Sequence, residues 1–139
     1  MDAPGEASSV DRRPPRRRAG DAAESLVAET LRRQGWVILA RQVRLGRDEL
    51  DIVAIDPGPP AMTVVVEVRS RRMGRFGTQE ERLDEAKVRR LYRAMNHLRA
   101  AGRLPDGHFL PGAREWRVDL VAVDSADGHL RHLKGLIPR

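Results

Sequence analysis

The order of amphipathic segments predicts an α/β domain, one central mixed β-sheet flanked by helices in the order α-β-β-β-α-β. Three observations carry this expectation. Two stretches, Asp21–Gln34 and Thr78–Ala101, repeat apolar residues at helical spacing. Two extended stretches, Glu49–Asp56 and Met62–Arg69, flank a segment that cannot continue a strand, Pro57-Gly58-Pro59-Pro60-Ala61. A further alternating stretch, Glu115–Asp124, follows the second helix.

In the first helix, Ala23, Leu26, Val27, Thr30 and Leu31 share a face, with Asp21 as the expected N-cap and Gly35 as the stop. Trp36–Ala40 reads as a short buried strand. The second helix is expected to start at Thr78, with Glu81 completing a capping box, and to end at Gly102. Its buried face is Leu83, Val88, Leu91, Ala94, Met95 and Leu98. In the last long strand, Trp116, Val118, Leu120 and Ala122 point one way and Arg117, Asp119, Val121 and Val123 the other. From His129 a short strand or irregular cover closes the chain.

Residues 1–19, with three prolines and the basic run Arg12, Arg13, Arg16, Arg17 and Arg18, read as a disordered basic tail. Residues 20–139 read as a single domain, long enough to bury a core without staples. Aromatic residues make up 4%, so that core is aliphatic. Cysteine is absent, which excludes disulfides, thiolate metal sites and a cysteine nucleophile, and fits a cytoplasmic location. No apolar run has the length of a membrane helix, and the first ten residues lack the layout of a secretory signal. The net charge of +6 suits a polyanionic partner, nucleic acid above all; an arginine-rich, solvated surface is the plainer alternative. The loop Arg71-Arg72-Met73-Gly74-Arg75-Phe76-Gly77 suits a phosphate grip or a solvated loop equally. The four histidines form no convincing ligand set, and no nucleotide-cradling glycine motif is present.

The chemistry concentrates on the hairpin. If Pro57–Ala61 is the turn and Asp56 pairs with Met62, Ile55 faces Thr63, Val53 faces Val65, Asp51 faces Glu67 and Glu49 faces Arg69, all on one side. Directly opposed like charges destabilise a sheet. Asp51 and Glu67 between apolar neighbours therefore imply a bound cation, a shared proton, or an offset register; strand ends reaching solvent is the fourth reading. Mg²⁺ suits such a pair, because it takes one or two carboxylates and completes its shell with water and phosphate oxygens. Lys87 falls inside the apolar arc of the second helix. It either snorkels past the sheet edge or reaches the acids or a phosphate. Arg69 is either a cross-strand partner of Glu49 or a stabiliser of phosphoryl charge. It cannot act as a base, since a guanidinium keeps its proton.

A set of motifs in order then carries a resemblance. They are Gly20-x-x-x-Glu24-x-x-x-Ala28, Gly35-Trp36-x-Ile38-Leu39, Asp48-Glu49-Leu50-Asp51-Ile52-Val53-Ala54, Val66-Glu67-Val68-Arg69-Ser70-Arg71, Phe76-Gly77, Lys87 and Arg117-x-Asp119. In these the chain resembles the YraN-like family of bacterial proteins, related to the restriction-endonuclease-like (PD-(D/E)xK) nucleases. The resemblance implies a restriction-endonuclease-like central mixed sheet flanked by helices. It also implies a divalent metal, Mg²⁺ or Mn²⁺, on Asp51 and Glu67 with Glu24 nearby; a capping-box role for Glu24 with Asp21 is the alternative. The chain departs at Asp48, where the family often has glycine, and at Arg69, where the nuclease motif has lysine. The expected site is therefore Glu24, Asp51, Glu67, Arg69 and Lys87. Two functions follow as expectations: a Mg²⁺-dependent nuclease-like domain, or a catalytically degenerate nucleic-acid-binding module. An adaptor without nucleic-acid contact is the third reading.

Overall fold

The structure, a computed structural model, describes residues 15–71, 83–112 and 114–139. Helix α1 (Pro15–Arg33) precedes strands β1 (Val37–Leu45), β2 (Asp48–Asp56) and β3 (Met62–Arg71). Helix α2 (Glu85–Ala101) and strands β4 (Glu115–Asp124) and β5 (Leu130–Leu133) follow. The strands form one sheet in sequence order. Only β3 and β4 are parallel, and α2 lies in the crossover that a parallel pair requires. This is the expected mixed sheet flanked by helices, with β5 added at the far edge.

Several boundaries differ from the sequence expectation, each for a physical reason. The first helix starts at Pro15, so residues 15–19 belong to it and not to a tail. Proline suits the first helical position, where its missing N–H would have no partner anyway. Asp21 and Glu24 therefore lie inside the helix and cannot form a capping box. At its end Gly35 takes φ 91°, and Gly35 N and Trp36 N donate to Arg32 O and Leu31 O, which closes the last turn. The buried face is Ala23, Glu24, Val27, Ala28 and Leu31, while Leu26 is 38% exposed. This face is rotated from the expected one and turns Glu24 inward.

Strand β1 is longer than Trp36–Ala40 and mostly half-exposed, as an edge strand with charged residues should be. It returns into β2 through the two-residue turn Gly46-Arg47, whose glycine has φ 63°. The second helix starts at Glu85, capped by the Asp84 carboxylate, which accepts from Lys87 N at 2.8 Å. Thr78, Glu81 and most of the basic loop lie outside the described residues, as do residues 1–14.

Each sheet face has its own aliphatic core. Ala23, Val27, Ala28 and Leu31 of α1 pack on Ile52, Ala54, Val64, Val66, Val121 and Val123. Leu91, Ala94, Met95 and Leu98 of α2 pack on Val43, Leu50, Val53, Val65 and Val118. Among the described residues, no helix is long and apolar enough to cross a membrane.

A buried polar network ties β4 to both its surroundings. Asp119, fully buried, accepts from Arg117 Nε at 2.7 Å, Arg117 Nη2 at 2.8 Å and Gly135 N at 3.0 Å, and meets His132 Nε2 at 2.8 Å. Arg117 also donates to Asp56 at 2.9 Å. Although Asp119 is buried, these partners hold its pKa low. Truncating it would leave Arg117 half-paired in a dry site, so Asp119→Ala is expected to cost about 3–5 kcal/mol in urea denaturation at pH 7. Because the folded pKa is depressed, the wild-type contribution is present at neutral pH and fades as pH falls through the carboxylate range.

Candidate active site

The register expected from the Pro57–Ala61 turn holds over five pairs, from Asp56↔Met62 to Ile52↔Val66. There the β2–β3 ladder ends. Beyond it β2 keeps pairing with β1, through Leu50↔Val43 to Asp48↔Leu45, while β3 keeps pairing with β4 as far as Arg71↔Asp124. The sheet therefore opens between β2 and β3, and Asp51 and Glu67 are the first residues past the opening. Val68 N, which has no β2 carbonyl in the ladder, donates instead to Asp51 Oδ2 at 2.8 Å.

A kink accompanies the opening. Leu50 and Val53 both pack on the α2 side although they are three residues apart, while Ile52 packs on the α1 side. Strict alternation would not allow this. Gln42, between the pairs Arg41↔Ile52 and Val43↔Leu50, has φ 51°, an uncommon value for a residue other than glycine. Its amide donates to Asp21 at 3.1 Å.

The acids differ in how they are balanced. Glu24, buried on α1, receives Arg41 Nε at 2.8 Å. Burial still raises its pKa against that bond, and the charge of Asp51 adds to the rise. Glu49 pairs with Arg44 at 3.3 Å, its cross-strand neighbour on β1. The expected Glu49–Arg69 pair is therefore not formed: once the ladder ends, β2 and β3 no longer hold those positions opposite. Glu67 meets Lys87 Nζ at 3.5 Å, so the helical lysine does reach the acids rather than escaping past the sheet edge. Asp51 has no ion pair among the described residues. Burial, followed by the charge and contact of Glu67, raises its pKa to about 7. Glu67 Oε1 is buried without a hydrogen-bond partner among the described residues. Arg69 is half-buried, registered against Ala122 on β4, and within electrostatic range of Glu67 and Asp84.

Two clefts meet at Asp51. One, of about 310 Å³, lies on the α1 side against Glu24, Gln42, Glu49 and Val68. The other, of about 230 Å³, lies on the α2 side against Arg47, Glu49, Lys87 and Arg90. Among the described residues, no three histidine or carboxylate side chains form a ready metal cage. Arg41 accounts for this in part, since it claims Glu24. Asp51 and Glu67 alone still suit Mg²⁺, which seldom takes more than two carboxylates from the protein. The buried Glu67 oxygen without a described partner and the raised pKa of Asp51 both mark a shortage of positive charge.

The family model described as "Uncharacterised protein family UPF0102" matches residues 23–123. The chain belongs to this family. It is similar to a UPF0102 protein of Symbiobacterium thermophilum, at 40% identity over 83% of this chain and 90% of that one. A UPF0102 protein of Roseiflexus castenholzii is 39% identical over 78% and 80% of the two chains. One of Chloroflexus aurantiacus is 33% identical over 84% and 87%. The matched region of this UPF0102 chain contains Glu24, Asp51, Glu67, Arg69 and Lys87, together with Arg41 and Asp119.

Arg41 carries no sequence signal of its own, because β1 lacks a clear period. Asp119 is marked beforehand by the Arg117-x-Asp119 motif, whereas its partner His132, in a short terminal strand, is not.

Asp51 makes stability depend on pH in a defined direction. Folded Asp51 keeps its proton to about 7, whereas the unfolded carboxyl releases it near 3.8. Between these values the folded chain binds more protons, so stability falls as pH rises. Asp51→Asn keeps an acceptor for Val68 N and supplies a donor toward Glu67. Urea denaturation from pH 4 to 8 should show this decline flattened, and the variant more stable at pH 8 by on the order of 1–3 kcal/mol.

Proposed function

We propose that this chain is a Mg²⁺-dependent nuclease-like protein acting on nucleic-acid phosphodiesters. The observation that carries the reading is the pair Asp51 and Glu67, brought together where the sheet opens, with an orphaned oxygen and too little positive charge. Both residues would hold the metal. When bound, Mg²⁺ or Mn²⁺ polarises a phosphoryl oxygen and lowers the pKa of its water.

The chain's own residues supply the rest. Val68 N fixes the orientation of the Asp51 carboxylate. Lys87, already beside Glu67, is placed to bear on a phosphate oxygen or to orient water at the pair, the task for which the nuclease motif uses lysine where Arg69 stands. Arg69 adds positive charge on β3 and cannot accept a proton. Glu24, held by Arg41 on the α1 side, supports the site through its charge and a water rather than as a direct ligand.

One observation favours a second reading, a nucleic-acid-binding module that cleaves nothing. Lys87 and Arg41 already neutralise Glu67 and Glu24, so a metal-free site needs only one proton, at Asp51.

Isothermal titration with Mg²⁺ and Mn²⁺ at pH 6 separates the two. The nuclease reading expects binding that is lost in Asp51→Asn with Glu67→Gln. It also expects proton release on binding, seen as a dependence of the heat on buffer ionisation enthalpy, because Asp51 must give up its proton to become a ligand. Absence of metal binding to the wild type would sink this reading. Lys87→Ala should keep metal binding and lower metal-dependent cleavage of labelled DNA or RNA by about 10²-fold or more.

A further inference from the structure

The two clefts that meet at Asp51 differ in charge: one is lined by four carboxylates and no cation among the described residues, the other by three carboxylates and three cations. On the α1 side the lining is acidic: Asp21, Glu24, Glu49 and Asp51, with Gln42 neutral. On the α2 side three cations, Arg47, Lys87 and Arg90, line the opening. Three acids also line it, Asp48, Glu49 and Asp51, and the first two are already engaged. Asp48 receives Arg93 Nη2 at 3.0 Å and Arg93 Nε at 3.3 Å, and Glu49 pairs with Arg44. The Arg93–Asp48 contact also fixes the β1–β2 turn against α2. It thereby brings Arg47, on the turn, and Arg90, one helical turn before Arg93, to one rim. Both arginines are exposed, and neither makes an ion pair among the described residues. Asp48 stays ionised, held low chiefly by Arg93 with Arg90 and Lys87 adding to it.

We infer that the α2-side cleft is the phosphate-binding face of the site. The sugar–phosphate backbone of a nucleic acid would be gripped by Arg47 and Arg90, and the phosphate nearest the acids would lie beside Lys87. The α1-side cleft would be left to the metal and its water. This inference rests on the nucleic-acid reading proposed above and adds its orientation and two residues to it. Guanidinium groups suit the task, since each presents a planar donor fork that matches phosphate oxygens. An approach from the α1 side would meet no cation in the described lining, and its acids include Glu24 held by Arg41 and Glu49 held by Arg44.

The test is fluorescence anisotropy with a labelled 20-base-pair DNA duplex and the RNA of one strand, in EDTA, over a range of salt. Each lost phosphate contact lowers the slope of log K against log salt by about 0.9 for duplex DNA. Arg47→Ala with Arg90→Ala is expected to lower that slope by about two contacts, to a value near 1.8 below wild type. Arg32→Ala with Arg33→Ala, an equal change of charge at the far end of α1, is expected to leave it nearly unchanged. Arg47→Gln with Arg90→Gln retains part of each stem and covers any disturbance of folding by truncation. A wild-type slope in both Arg47/Arg90 pairs, an equal loss in the Arg32/Arg33 pair, or no binding of either probe by the wild type would each overturn the inference. Mg²⁺ titration of the Arg47/Arg90 variant keeps the two proposals apart. Retained metal binding with an unchanged slope sinks the docking face alone, and absent metal binding in the wild type sinks the nuclease reading alone.

Discussion

The hydrogen bond from Val68 N to the Asp51 carboxylate is the contact on which the site depends. A buried strand N–H must find an acceptor, so two strands cannot simply part inside a sheet. Here a side chain replaces the missing backbone carbonyl, and β2 and β3 separate without leaving that donor unpaired. Asp51 thus ends the ladder and lines the opening at once. The strands on either side stay anchored, β2 by β1 and β3 by β4, with Val65 and Val66 packed into the cores on opposite faces.

Two acid sites in one sheet show how their surroundings set the charge state of a carboxylate. Asp119 is more deeply buried than Asp51, yet its four donor contacts from Arg117, His132 and Gly135 hold its pKa low. Asp51 has one backbone donor and a second carboxylate beside it, and its pKa rises to about 7. Burial acts in the same direction on both, so the donors around Asp119 and the Glu67 charge beside Asp51 decide the outcome. The Asp119 network leaves its acid no unmet demand. The Asp51–Glu67 pair leaves one oxygen orphaned and one proton retained.

Much of this arrangement is readable from residue order, and the rest is hidden for definite reasons. The proline-rich turn fixes the β2–β3 register, which in turn predicts that Asp51 and Glu67 meet. Lys87 stands out because a lysine interrupts an otherwise apolar helical arc. The Glu49–Arg69 pair fails because register is an extrapolation that holds only while strands stay paired, and this ladder ends five positions into the hairpin's return. The rotation of α1 that buries Glu24 is invisible locally, since Leu26 and Ala28 are both apolar and only the sheet chooses between them. Strand β1 is obscured by its own chemistry: Arg41, Gln42 and Arg44 alternate with apolar residues on an edge, where polar side chains are tolerated on both faces.

The formal charge of +6 says less than where the charges lie. Around the opening Glu24 has Arg41, Glu49 has Arg44 and Glu67 has Lys87, each as a partner of its own. Of Glu24, Glu49, Glu67 and Asp51, the one without an ion pair among the described residues is Asp51. This fits the rise to about 7 at Asp51, whereas the rise at buried Glu24 is opposed by an arginine. A proton balances that deficit when the site stands alone. A phosphodiester brings further negative charge, which one proton cannot offset. A divalent cation between Asp51 and Glu67 would balance both, displacing the proton and leaving charge to spare for the incoming phosphate.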